Sequence, residues 1–372
     1  MTHFKLNICS LGDPTNPQTW SGTPYNIYNE LKKSDCLGNA FSSKAHLNKY
    51  LRKIINLSQK FYYKNSIDKD RGNLNRFLNA NKTKRETEKS ITNRTLHTGT
   101  LDLPFFNLPK NQKHYLFCDS TWNLWSSFST GMNGYTKQML KDAENLERRA
   151  YHQMEHIFPI SEYVKDNLIS HYGVNPEKIT AVGTGLGVIE PFIGEKKYSN
   201  GKILFAAKGR FEDKGGNLVL EAFNKALKIN PNIELIIVGQ NEYTNRIKAS
   251  NITTYGFITI EDLQSLFNEC SLFLMPAINE PWGLVYLEAL VCKMPIIGLN
   301  RNSFPEISAN GKFGFGLDEP DSNKLCEILI NAFSDAEKLK EMGELGQEYC
   351  LTNFTWNNTV TKIIKTIENL EG

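Results

Sequence analysis

Glu280 and Glu288, with seven residues between them, stand in the stretch Met275-Pro276-Ala277-Ile278-Asn279-Glu280-Pro281-Trp282-Gly283-Leu284-Val285-Tyr286-Leu287-Glu288-Ala289-Leu290. It runs from the end of an apolar strand, through a loop with Pro and Gly, into a helix starting near Gly283 or Leu284. The open N–H groups and positive dipole end of such a helix hold a phosphate or diphosphate. Carboxylates are misplaced beside phosphate but accept hydrogen bonds from sugar hydroxyls. The pattern therefore suits a ligand that is part anion and part polyol. Two such glutamates in isolation are more often merely solvated, and the strand-loop-helix setting favours the functional reading. A second strand-loop-helix, Ala206-Ala207-Lys208-Gly209-Arg210-Phe211-Glu212-Asp213-Lys214-Gly215-Gly216-Asn217-Leu218, brings Lys208, Arg210 and Lys214 to the mouth of a glycine loop. Cations there stabilise charge that builds on a departing diphosphate.

Positioning such loops takes a parallel sheet covered by helices, and the chain alternates short apolar runs with helix-length amphipathic stretches throughout. In the first half, Lys5–Leu11 reads as a strand, and Trp20-Ser21-Gly22-Thr23-Pro24-Tyr25-Asn26 opens a helix over Pro24–Leu31, with Ser21 or Thr23 as cap. Gly22 lets backbone approach a ligand, although capping alone explains most of that segment. Tyr115–Cys118 and Ile157–Ile160 read as strands, Tyr135–Gln153 and Glu162–His171 as helices. Ser58–Thr100 is polar and without periodicity, which predicts long loops or short helices, partly mobile. In the second half Ile203–Ala207, Glu234–Val238, Ile252–Tyr255, Ser271–Met275 and Pro295–Leu299 read as strands with helical patterns between them. The expected organisation is a domain over 1–188, a linker over 189–201, a domain over 202–352, and a C-terminal helix over 353–372 able to cross back to the first domain. The fold class is α/β, two Rossmann-like, doubly wound domains facing each other across a cleft, with ligands at the C-terminal strand ends.

The chain has 372 residues, 40% hydrophobic and 22% charged. That composition excludes collagen-like, wholly disordered and disulfide-scaffold classes. The net charge of +3 hides an asymmetry: Phe41 to Arg94 holds fourteen basic and four acidic residues, a local +10 against −7 elsewhere. Such a block faces a membrane surface, an anionic acceptor or nucleic acid, or is only solvated. Seven scattered cysteines without zinc spacing read as reduced thiols. The N-terminus enters Phe4-Lys5-Leu6-Asn7-Ile8-Cys9 directly, so a cytoplasmic chain is expected. No run reaches the roughly 18 apolar residues of a membrane span. Gly183-Thr184-Gly185-Leu186-Gly187 imitates a dinucleotide fingerprint, but Pro191 follows where a helix should. His152 and His156 lie four apart on an expected helix, with no third metal ligand in view.

Pro-Ala-x-x-Glu-Pro-Trp-Gly-Leu-x-x-Leu-Glu-Ala-Leu, the basic glycine loop, the Val238-Gly239 strand end, Tyr255-Gly256-Phe257 and the late Phe354-Thr355-Trp356 come in an order that resembles the family 4 retaining glycosyltransferases of the GT-B fold, the glycosyl transferases group 1. The resemblance covers the second half nearly completely, and the first half through its opening strand-Gly22-helix unit and Glu147–Gly183. It implies transfer of a sugar from a nucleotide diphosphate sugar, UDP- or GDP-linked, to an acceptor hydroxyl in bacterial polysaccharide, lipopolysaccharide or glycolipid synthesis, without a metal. By it, Glu280 contacts the donor sugar, Gly283 and Leu284 present N–H groups to that sugar or its phosphate, and Glu288 holds the ribose. Arg210 and Lys214 bind the diphosphate, Gly256, Phe257 and Ile258 lie near the base beside Gly239, and Gly22 approaches the donor phosphate.

The sequence departs from the family in three places. Arg210-x3-Lys214 is one residue shorter than the usual spacing, which leaves Lys208 and Arg210 both open for the first basic role. Asn302-Ser303-Phe304-Pro305-Glu306 replaces a Gly-Gly-containing turn. A histidine usual at an N-domain strand end is missing, and Asp119 in Phe117-Cys118-Asp119-Ser120-Thr121 is the catalytic candidate for its place or a helix cap. The basic segment 41–94 lies in the acceptor domain, where an anionic glycan, a lipid-linked acceptor or peripheral membrane contact suits it; no nucleic acid is expected. The rival readings are a related GT-B epimerase or phosphorylase, and a non-catalytic nucleotide-sugar or nucleic-acid binding module.

Overall fold

The computed structural model describes residues 4–64, 70–108, 110–128, 135–239, 251–278 and 280–372. Asn279, Asp68 and Lys69, and the helical pattern expected between Val238 and Ile252, lie outside the described residues or largely so. The chain packs as two compact units, Met1–Gly185 with Trp356–Gly372, and Leu186–Thr355. No described helix is long and apolar enough to cross a membrane.

The first unit runs β1 (Leu6–Ser10), α1 (Thr23–Lys33), β2 (Leu37–Ser42), α2 (Lys49–Tyr62), α3 (Asn73–Glu88), β3 (Arg94–Thr98), β4 (Lys113–Cys118), α4 (Trp122–Phe128), α5 (Lys137–Gln153), β5 (His156–Pro159) and α6 (Glu162–Ser170). Its strands form a parallel sheet in the order β2-β1-β3-β4-β5. β1 and β4 are buried nearly end to end, as strands covered by helices on both faces must be.

Ser58–Thr100 differs from expectation. It holds the end of α2, all of α3 and the strand β3. The reason is chemical: α3 buries Arg76, Asn79, Ala80, Thr83 and Thr87 at helical spacing, and β3 buries Thr95, His97 and Thr98. A core face built from polar residues leaves no hydropathy period to read.

The second unit runs β6 (Lys202–Ala206), α7 (Gly216–Ile229), β7 (Glu234–Val238), β8 (Ile252–Tyr255), α8 (Ile260–Glu269), β9 (Leu272–Leu274), α9 (Leu284–Val291), β10 (Ile296–Leu299), α10 (Phe304–Ile307), β11 (Gly314–Leu317), α11 (Ser322–Ser334) and α12 (Ala336–Asn353). The parallel sheet order is β11-β10-β9-β6-β7-β8. Residues 189–201, expected as a linker, pack with this unit. Phe192 N donates to Val291 O at 3.1 Å, and Lys196 Nζ donates to three carbonyls at the end of α8, Phe267, Asn268 and Cys270. The last helix, α13 (Trp356–Glu371), packs with the first unit, where Glu371 meets Arg94, Lys113 and Tyr115.

The helices fall into two groups by how they begin. α5, α6, α8, α11 and α12 start on Thr136, Ser161, Thr259, Asp321 and Asp335, whose side chains accept from the first-turn N–H groups. α1, α7 and α9 start on Gly22, Gly215 and Gly283, each with left-handed φ and no side-chain cap. These three are the helices that the sequence places at ligand-binding loops.

Candidate functional site

In the second unit the two chemistry-bearing loops lie side by side. The basic loop leaves β6 through Ala207, whose N–H donates to Val238 O at 2.9 Å, and turns by left-handed Lys208 and Gly209. Phe211 is buried against Phe205 and anchors the turn. The acidic loop leaves β9 through Met275. Ile278 N donates to Asp213 O at 3.2 Å, and the Lys214 ammonium forms an ion pair with the Glu280 carboxylate, which ties one loop to the other. Two candidates read from separate motifs are thus one pair.

Gly283 shows why the acidic loop needs its glycine. Its φ is +80°, and a Cβ there would come within 2.6 Å of the Tyr286 ring and 3.1 Å of Glu280 Cγ. Any side chain would strain the turn and displace Glu280. Tyr286, two residues into α9, holds the other end of the loop by donating to Met275 O. Leu284 is the first residue of α9, so its N–H points out of the helix start that no side chain caps.

Glu288 sits one turn further along α9 and accepts a 3.0 Å bond from Val188 N. Burial raises its carboxyl to about 6, against the Val188 and Ile189 backbone bonds and the Lys208 charge, which lower it. Lys208 is therefore close enough to act on Glu288. Burial also lowers Lys214 to about 7, helped by Arg210 and Lys208 and opposed by Asp213; the paired Glu280 acts with Asp213. Arg210 is exposed and 3.3 Å from Asp213 Oδ2. Of the two residues left open for the first basic role, both act on Lys214, and Lys208 alone also acts on Glu288.

Gly239 ends β7 and donates its N–H to Gly256 O at 3.2 Å, and a Cβ on it would come within 2.5 Å of Lys208 N. It joins the basic loop to the turn of Gly256, Phe257 and Ile258. Phe257 is 64% exposed and a Cβ on Gly256 would meet nothing within 4 Å, so this turn is an open edge of the site.

In the first unit, Gly22 (φ +83°) starts α1 after β1, and Asp119 follows β4. The Trp20 side chain donates to Asp119, which links the two places. Burial raises the Asp119 carboxyl to about 6, while backbone bonds, the Arg71 charge and Trp20 lower it. These contacts are those of a held, ionisable group, beyond what capping requires.

Two supporting residues carry no motif signal. Ser303 is fully buried, with Oγ 2.6 Å from Pro281 O and 2.9 Å from Trp282 O, and so fixes the acidic loop from behind. Gly187 lies against Glu288: a Cβ on it would overlap Glu288 Oε1. In the fingerprint-like run, then, Gly187 makes room for a carboxylate and Gly185 for Trp356. His156 lies in β5, not on the helix with His152, and bonds Thr180 Oγ1 at 2.8 Å while His152 bonds Tyr172 O at 3.0 Å. That corrects the shared helix face expected for them. Among the described residues the group able to hold a metal is buried Cys9, His97 and Asp102 in the first unit. Asp102 Oδ2 already meets Cys9 Sγ at 3.3 Å, Thr83 Oγ1 at 3.1 Å and His97 Nδ1 at 2.8 Å, which satisfies the cluster internally.

Residues 190–349, most of the second unit, match the family described as Glycosyl transferases group 1. The alpha-maltose-1-phosphate synthase of Mycolicibacterium smegmatis is 21% identical over 243 residues, 57% of this chain and 62% of that protein. The chain spans about half the length of the curated relatives it matches. Among solved structures, a glycosyltransferase from Rickettsia africae superposes with a TM-score of 0.66 at 17% identity, over 99% of this chain and 98% of that one. Anabaena HepE in complex with UDP and glucose superposes at 0.64 and 15% identity, over 98% and 99%. These likenesses show the fold, two parallel-sheet α/β domains.

Proposed function

We propose that this chain, whose residues 190–349 match the group 1 glycosyltransferases, is a cytoplasmic, retaining, metal-independent enzyme of family 4 that moves a sugar from a UDP- or GDP-sugar to an acceptor hydroxyl in polysaccharide or glycolipid synthesis. The observation that carries the reading is the Lys214–Glu280 pair joining two uncapped helix starts, with Lys208 and Glu288 beside it. Lys214, Lys208 and Arg210 meet diphosphate charge in place of a metal, Glu280 and Glu288 take hydroxyls of sugar and ribose, and the Leu284 end of α9 takes phosphate. In the first unit, a cavity of about 550 Å³ at the ends of β1 and β2, lined by Lys44, His46, Arg52 and Lys82 among others, suits an anionic acceptor. The HepE structure was determined with UDP and glucose, which favours a UDP-sugar as the first donor to try.

A thermal-shift screen of UDP, GDP, ADP and their sugars tests the donor site. A ligand at a hundred times its dissociation constant adds about 2.7 kcal/mol to the folded state. Stabilisation by none of them counts against the reading. Glu288→Ala is expected to remove most of that gain, and an unchanged gain would sink the ribose role. Gly187→Ala is expected to weaken nucleotide binding by about tenfold, of the order of 1.4 kcal/mol, since its methyl and the Glu288 carboxylate need one space. Calorimetric titration with the stabilising nucleotide reads it; full affinity would show that Glu288 moves aside without consequence.

A further inference from the structure

An amphipathic helix normally turns its apolar stripe to the core. α2 does the reverse. Tyr50, Ile54, Leu57 and Phe61 fall on one face of it and are 80%, 61%, 58% and 89% exposed, with Leu51 and Tyr62 exposed beside them. The inward side carries the polar Gln59, which packs against Gly72 at the start of α3, and the helix is moored just beyond its end by buried Tyr63, 3.2 Å from Asp142. Four cations, Lys49, Arg52, Lys53 and Lys60, flank the exposed stripe, and Lys49–Tyr62 contains no acidic residue.

An exposed apolar stripe this long marks an interaction surface. Its cations select the partner: a flat, apolar layer behind negative charge, which is the surface of an anionic lipid bilayer. We propose that α2 lies in the headgroup layer of an anionic membrane, with Tyr50, Ile54, Leu57 and Phe61 inserted and Lys49, Lys53 and Lys60 on lipid phosphates. This goes beyond the glycosyl-transfer reading, which fails or stands on nucleotide binding alone. It also separates α2 from the rest of the basic segment: α3 turns Arg76 inward and Lys82 Nζ onto the Ser42 and Lys44 carbonyls.

Sedimentation of the full chain with vesicles of phosphatidylglycerol and phosphatidylcholine, against vesicles of phosphatidylcholine alone, tests the proposal. Binding is expected to the anionic vesicles at low salt, and to fall as salt rises. Ile54→Glu with Leu57→Glu, and separately Lys53→Glu, are each expected to reduce partitioning by about tenfold or more. These side chains are exposed, so the thermal melt and the nucleotide-induced shift stay as in the parent chain. A Phe61→Trp variant is expected to shift its emission to the blue on binding and to be quenched by brominated lipid. Three results would overturn the proposal: no sedimentation with anionic vesicles, binding indifferent to the Ile54 and Leu57 changes, or a dimer in solution that those changes dissolve, which would assign the stripe to a second copy of the chain.

Discussion

Lys214→Met is expected to lower the turnover of sugar transfer by about 10²- to 10³-fold, because it removes a preorganised charge from where the leaving diphosphate accumulates its own. Lys214 has 10% of its side chain exposed and Glu280 17%, so the pair is held in a water-poor setting where one charge acts strongly. The loss falls on kcat more than on donor affinity, since the charge grows in the transition state. Glu280 left without its lysine would also face the donor phosphate as an unpaired anion, which adds to the effect. A loss in kcat below about tenfold would remove Lys214 from the charge-stabilising role.

The same pair sets a pH window. Glu288 accepts ribose hydroxyls only when ionised, and its carboxyl is raised to about 6, so donor affinity falls as pH drops through that value. Lys214 serves only when protonated and is lowered to about 7 by burial, Arg210 and Lys208. Activity therefore falls as pH climbs past it, with Asp213, Glu280 and the arriving diphosphate moving that limb upward. A bell-shaped profile is expected. Glu288→Gln should flatten the acid limb and leave the alkaline one.

What could be read from the sequence depended on which atoms did the recognising. Glu280, Glu288 and Lys214 announce themselves because their chemistry resides in their own side chains, and the loops around them carry Pro and Gly at fixed places. The second unit's strands are apolar runs such as Leu272–Leu274 and Ile296–Leu299, visible to any hydropathy scan. Gly187 and Ser303 were not legible, because one acts by lacking a side chain near Glu288 and the other by bonding carbonyls 21 and 22 residues away. α3 and β3 were missed for the opposite reason: their buried faces are polar, and only tertiary partners make polar residues a core.

Arg76 shows that last point most sharply and carries the largest expected loss of stability. Sequence counts it among the fourteen cations of a +10 segment, as if it faced solvent or a ligand. In the fold its side chain is 0% exposed, and it reaches Glu147 Oε1 at 2.9 Å, Leu103 O at 2.6 Å and Thr100 O at 2.7 Å. It thereby clamps α3 to α5 and to the loop after β3. Arg94 is likewise spent on Glu371, and Arg71 lies over the Trp122 and Trp125 rings, so the charge offered outward is smaller than the count and concentrated on α2. Arg76→Met strands the Glu147 carboxylate, whose Thr100 Oγ1 bond at 2.7 Å cannot replace a cation, and removes donors from two buried carbonyls. A loss of about 3 to 5 kcal/mol is expected in urea unfolding of the first unit. Arg76→Met with Glu147→Met should recover part of it, because the stranded charge goes with its partner, leaving the two carbonyls as the residual cost. A single-variant loss under about 1 kcal/mol would mean that water or Arg71, 4.0 Å from the same carboxylate, takes over the charge, and that α3 is held by shape instead of by this ion pair.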